Sequence, residues 1–118
     1  MALAKCATCA PEPLAISDTD FAALVASLRA VVETGIGREA QVPGIKIAGK
    51  TGTAQVSTPE GTKNIAWFLA FAPAENPEIA VAVAMEGPDP GVEFAGAQHA
   101  APIAREILGT YFDKQAKR

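Results

Sequence analysis

Between Ile45 and Met85 three apolar runs follow one another with only a few residues between them, and that spacing limits the fold more than any other feature of the chain. The runs cover residues 45–56, 65–71 and 79–85 and alternate β-branched, aromatic and small residues as strands do. Thr58-Pro59-Glu60-Gly61-Thr62 and Ala74-Glu75-Asn76-Pro77 separate them, and both are rich in turn formers. A parallel pair of strands needs a crossover of about a dozen residues or more, so turns this short force antiparallel pairing. The expected sheet is a three-stranded antiparallel meander with the middle run, apolar on both faces, at its centre. Trp67 and Phe68 on that run are expected in the core. In the last run, bulky Ile79, Val81, Val83 and Met85 alternate with Ala80, Ala82 and Ala84. A flat alanine face lets a helix approach closely, so one helix is expected to lie across those alanines.

Two helices flank the strands in sequence. Ser17-Asp18-Thr19-Asp20 supplies an N-cap with an acidic residue three positions on, close to a capping box. Phe21, Leu24, Val25, Leu28, Val31 and Val32 then recur on one helical stripe, and Gly35 and Gly37 suit a C-terminal cap, which predicts a helix over 18–34. Ala100, Ile103, Ala104, Ile107, Leu108, Tyr111 and Phe112 form a second stripe. Pro102 is tolerated only in a first turn, so this helix starts between 98 and 101. The fold class is therefore α+β. Residues 1–16, with Pro11 and Pro13 and no periodicity, read as an extended lead-in, 17–113 as the folded portion, and 114–118 as a basic tail.

Composition narrows the functional classes. At 118 residues the chain has the length of one domain, and 49% apolar against 19% charged residues excludes a disordered chain. A net charge of −3 offers no chain-wide attraction to nucleic acid, so any anion site must be local. No apolar run approaches the roughly 20 residues that span a bilayer, and Met1 to Lys5 is too short and too soon charged for a secretory signal. Cys6 and Cys9 have C-x-x-C spacing, but no second cysteine pair exists and His99 is the sole histidine. Two incidental thiols are expected, with no metal and no cofactor. His99 reads as a surface residue at a helix start, Glu86 has no partner carboxylate of evident role and is assigned none, and Lys46 reads as a solvated edge charge.

One stretch carries more chemistry than packing requires. After Ile45-Lys46-Ile47-Ala48 the chain runs Gly49-Lys50-Thr51-Gly52-Thr53-Ala54-Gln55, placing a cation, two hydroxyls and a bare backbone on one strand. Such a set suits a carboxylate or a phosphate. Gly44 to Thr51 satisfies the P-loop pattern G-x-x-x-x-G-K-[ST], whose backbone N–H groups wrap a phosphate. That loop must follow a strand and open a helix at its Lys-Thr, whereas here the four intervening residues alternate as a strand and Thr51-Gly52-Thr53 is a poor helix start. Alternatively, Lys50-Thr51-Gly52 is the K-T-G triplet of serine penicillin-recognising enzymes, carried on a strand at the rim of a cleft.

With that triplet in place, the chain resembles class B penicillin-binding proteins from about Ser17 to Asp113. Ala48 to Gln55 looks like the family's usual K-T-G strand, and Ala66 to Pro73 and Asn76 to Val83 resemble the two strands that follow. Ala100 to Leu108 resembles the closing helix of the elongation-type transpeptidases. The resemblance implies a peptidoglycan D,D-transpeptidase domain that works on stem peptides, is acylated by β-lactams and acts on the periplasmic face of the inner membrane. It implies that Lys50 lines the cleft and tunes its proton traffic. It also implies that Thr51 and Thr53 hold the substrate carboxylate, that Gly52 lets the acyl donor lie against the strand, and that the Thr53 N–H is one oxyanion-hole donor.

The family's other two motifs are missing from these residues. Four positions into an S-x-x-K frame, Ser17 is followed by Asp20, Ser27 by Ala30 and Ser57 by Glu60, and none of the three serines has Asn two places on. A nucleophile and its base must lie within hydrogen-bond reach, so this chain alone is expected to be inactive. The alternative is a non-catalytic module that binds an anionic peptide or a partner subunit through the same strand edge. In the family, upstream sequence supplies the remaining strands and the helical lobe. One sheet edge and one helix face are therefore expected to be bare, which favours self-association.

Overall fold

In the computed structural model, which describes residues 12–118, the chain forms helix α1 (Asp18–Glu33), strands β1 (Ala48–Thr58), β2 (Gly61–Ala72) and β3 (Ile79–Glu86), and helix α2 (Ala101–Ala116). A short 3₁₀ turn (Arg38–Ala40) follows α1 and a π-helical turn (Gly96–Ala100) leads into α2. The readings of Cys6, Cys9 and most of the lead-in lie outside the described residues. The expected α+β architecture is present: the sheet order is β1-β2-β3, antiparallel throughout, with β2 central.

Local chemistry explains the boundaries. Ser17 caps α1, its hydroxyl oxygen accepting from the Asp20 N–H at 3.1 Å and its O–H donating to the Asp20 carboxylate at 2.8 Å. At the other end, Gln41 donates from Nε2 to the Val32 and Glu33 carbonyls at 2.9 and 3.0 Å, supplying partners that the last turn lacks. The strand expected from Ile45 begins at Ala48 instead. Val42-Pro43-Gly44-Ile45 closes as a turn, with Gly44 at φ +78° and the Ile45 N–H on the Val42 carbonyl at 3.1 Å, which occupies the residues that would have started the ladder. β1 and β2 are joined by only Pro59 and Glu60, and the pairing extends to Thr58↔Gly61. At the C-terminus, α2 continues through Lys114 to Ala116.

The two faces of the sheet differ. Ala66, Phe68, Ala70 and Ala72 of β2 and Val83 of β3 are buried with Ala101, Ala104 and Leu108 of α2, and Ile79, Val81 and Met85 pack at the margin. Val32 and Ile47 close the same core beside α1. No polar side chain among the described residues is buried. Phe68 and Leu108 are fully enclosed, each worth roughly 1.5–3 kcal/mol relative to exposure.

The opposite face corrects two expectations. Among the described residues no helix lies across Ala80, Ala82 and Ala84, which are exposed, because α2 docks on the valine side, where it removes more apolar surface from water. Phe68 is core, but Trp67 is 38% and Leu69 52% exposed, since neighbours in a strand point to opposite faces and only one face is covered. Phe21 and Leu24 of α1 are bare as well. Leu28, Ala48, Lys50, Leu69, Phe71 and Ala82 border an open trough of about 430 Å³ on this side.

Candidate functional site

The ladder determines which backbone groups β1 shows to the outside. The Gly87 N–H donates to the Asn64 carbonyl at 2.7 Å, so Asn64 points its peptide groups at β3. In an antiparallel strand these groups alternate sides, so Ile65, Trp67, Leu69 and Phe71 turn toward β1. Their partners are Ala54, Gly52, Lys50 and Ala48, which leaves Gly49, Thr51 and Thr53 with N–H and C=O on the outer edge. Among the described residues no strand pairs with that edge. The N–H of Thr53 is therefore directed away from the sheet, the orientation an oxyanion donor requires.

Side chains divide between the faces. Lys50 and Gly52 share the open face with Trp67 and Leu69, while Thr51 and Thr53 share the covered face with Ala66 and Phe68. The Lys50 ammonium nonetheless reaches the edge, donating to the outward Thr51 carbonyl at 2.8 Å. Among the described residues no carboxylate pairs with it within 4 Å. The outer edge thus carries the Lys50 ammonium and the outward Thr53 N–H, with the two threonine side chains on the covered face beside it and Gly52 turned toward β2. Thr53 is exposed, and Thr51 and Gly52 are half-buried. A Cβ on Gly52 would meet the Trp67 Cβ at 3.3 Å, and one on Gly49 would meet the Phe68 ring at 2.8 Å, so both glycines let this strand lie close over its neighbour.

β1 continues as a strand through Lys50 and Thr51 to Thr58, and no helix opens there, which removes the phosphate-loop reading. Among the described residues no group of three His, Cys, Asp or Glu is placed to hold a metal, and no helix is long and apolar enough to cross a membrane.

Ion pairs link α1 to the segment before β1 and to the β2–β3 turn. Glu33 accepts from Arg29 at 2.8 Å and lies 3.7 Å from Lys46, so Lys46 is a paired charge. Arg29 also bridges to Glu75 in the β2–β3 turn at 2.8 Å. The hydrogen bond from Arg29, joined by the nearby positive charges of Arg29 and Lys46, holds the Glu33 carboxyl below the usual carboxylate range. Glu86 pairs with Lys63 at 3.4 Å. His99 is half-buried rather than superficial, its ring stacked on Phe94 at 3.8 Å and 24°.

Sequence reasoning missed the support beneath the triplet. Gly96 of the π-helical turn sits on the covered face directly over the Gly52↔Trp67 pair, where a Cβ would meet Gly52 O at 2.8 Å and Gly52 N at 3.1 Å and would collide with Trp67 O. Only the small residues around Gly96 hinted at a close approach, and nothing local says what it approaches.

Comparison with known proteins agrees with this frame. The penicillin binding protein transpeptidase domain family matches residues 8–109. The chain is 39% identical over 109 residues to the peptidoglycan D,D-transpeptidase PbpA of Mycolicibacterium smegmatis, covering 90% of this chain and 22% of that protein. It is 41% identical over 86 residues to the stage V sporulation protein D of Bacillus subtilis, covering 70% and 13%. Among solved structures, the transpeptidase domain of the FtsI4 D,D-transpeptidase from Legionella pneumophila superposes with a TM-score of 0.71 at 31% identity, over 82% of this chain and 37% of that one. Penicillin-binding protein A from M. tuberculosis, solved as a ceftriaxone acyl-enzyme complex, gives 0.59 at 39% identity, over 71% and 19%. The chain spans about a fifth or less of the length of these curated relatives, and they carry different names. Its sequence match, its sheet and its two helices make it a member of the penicillin-binding protein transpeptidase domain family.

Proposed function

We propose that the outer edge of β1 is one wall of a D,D-transpeptidase active site, and that the nucleophile and its base are supplied by residues outside these 118. In this reading the Thr53 N–H receives the developing oxyanion, a contribution of roughly 3–4 kcal/mol in the transition state. Thr51 and Thr53 hydroxyls hold the carboxylate of a stem peptide or a β-lactam. Lys50 supplies positive potential and proton traffic at the cleft, and Gly52 keeps the strand low enough for an acyl donor to lie along it. The observation that carries this reading is the conjunction, on one unpaired edge, of an outward Thr53 N–H and a Lys50 ammonium without a carboxylate partner among the described residues. The substrate is accordingly a peptidoglycan stem peptide, and the place of action the periplasmic side of the inner membrane. The elongation-type assignment rests on the resemblance of Ala100 to Leu108 alone.

Joining these residues in frame to the upstream part of the transpeptidase domain of the M. smegmatis relative tests the proposal. The hybrid should form a covalent adduct with a fluorescent penicillin, and the 118 residues alone should not. A folded hybrid that stays unlabelled contradicts it.

The bare edge of β3 supports a second element of the proposal, self-association of the isolated chain. Its outward residues are Ala80, Ala82 and Ala84, with the one charge, Glu86, at its end, so the centre of the edge carries no charge or proline of the kind that ordinarily protects an edge.

A further inference from the structure

We propose that the π-helical turn Gly96–Ala100 is a strut that sets the height and plane of the Gly52–Thr53 peptide, with Gly96 a positioning residue for the oxyanion donor; this rests on the reading of Thr53 given above. The argument begins with the sheet. Gly52 and Trp67 face each other, and their side-chain directions are on the open face, so on the covered face their backbone pair forms a hollow between Thr51 and Thr53 on one strand and Ala66 and Phe68 on the other. Gly96 fills that hollow. It approaches the Gly52 N and O and the Trp67 O so closely that no Cβ fits, and the obstructing atoms are backbone, which cannot swing aside.

The turn that carries Gly96 is itself braced. His99 donates its N–H to the Ala95 carbonyl at 3.1 Å, and its ring stacks on Phe94, which is 9% exposed and packs on Gly87 at the end of β3. The π-helical turn stands at the N-terminal end of α2, entered from extended chain at Ala95. Here the wider turn brings the chain under β1 before Pro102 and α2 begin. A shift of the Gly52–Thr53 peptide redirects the outward Thr53 N–H, and misplacing a reacting group by about 1 Å can cost about a hundredfold in rate.

Gly96→Ala tests the strut, with Gly109→Ala on α2 as control, since a Cβ there meets nothing within 4 Å. In the 118-residue chain, hydrogen exchange at the Gly52 and Trp67 amides should rise at least tenfold in Gly96→Ala while the β2–β3 amides keep their rates. His99→Ala, which removes the stack and the Nδ1 contact with the Ala95 backbone without adding a clash, should move the same amides in the same direction, and His99→Phe, which restores the stack alone, should recover them in part. In the penicillin-labelled hybrid, Gly96→Ala should lower the maximal acylation rate at least tenfold with the half-saturating penicillin concentration within threefold. Uniform acceleration of exchange across the sheet, or no change at Gly52 and Trp67, overturns the strut. Altered exchange with unchanged acylation overturns its role in positioning. A hybrid that is never acylated speaks against the active-site proposal, and the exchange measurements still decide the strut.

Discussion

Lys50 and Thr53 enter the proposed site through different atoms, the one through its ammonium and the other through its main chain and hydroxyl, and substitution separates them. Lys50→Ala in the hybrid should lower the acylation rate about a hundredfold, the scale of a lost proton-transfer group. Thr53→Ala keeps the N–H and loses one hydrogen bond to a carboxylate, which is worth roughly 1.5–3 kcal/mol. It should raise the half-saturating penicillin concentration about tenfold or more and leave the maximal rate within threefold. Glu33 offers a test by titration. Its carboxyl is held below the ordinary value of about 4.3 by the hydrogen bond from Arg29, so its stabilising effect is complete above that value and is lost as pH falls through the lower, folded midpoint. A carboxyl-carbon titration should place Glu33 below the ordinary glutamate midpoint, and Arg29→Ala should raise it toward that midpoint, with Lys46 still holding it somewhat below. The chemistry of residues 50–53 was legible because a cation, hydroxyls and glycine on an alternating strand have few other uses. Which of their N–H groups points outward was not, because that depends on pairing parity, fixed from a distance by the Gly87–Asn64 bond.

At the level of elements, caps and turns were readable and coverage was not. Ser17 marks the start of α1 through a bond three residues away, a local event that sequence spacing encodes. Ser17→Ala should destabilise by about 1 kcal/mol, read as a lower urea midpoint with an unchanged slope. The strand start at Ala48 was missed because Pro43-Gly44 makes a turn that Ile45 helps to close. The alanine face of β3 was assigned a helix because flatness permits close approach, yet permission is not preference: α2 goes where Val83, Phe68 and Ala104 enclose more area. Phe68→Ala should therefore cost about 3–5 kcal/mol in denaturant unfolding, whereas the adjacent Trp67→Ala, on the open face, should cost less than half as much.

For the whole molecule, one covered face and one bare face describe a unit whose remaining apolar surface awaits cover. Trp67, Leu69, Phe21 and Leu24 are exposed, and the β3 edge has no charge along its centre. Sedimentation of the 118 residues should show concentration-dependent association, and Ala82→Lys, a charge placed at that edge, should shift the chain toward monomer. A monomer at all concentrations would remove self-association and leave the β1 edge untouched. The central claim is that this chain supplies one wall of the site and not its nucleophile, and peptide mapping of the penicillin-labelled hybrid tests it most directly. The account predicts a single acylated serine in the upstream segment, with Ser17, Ser27 and Ser57 unmodified; an adduct on any of those three would contradict it.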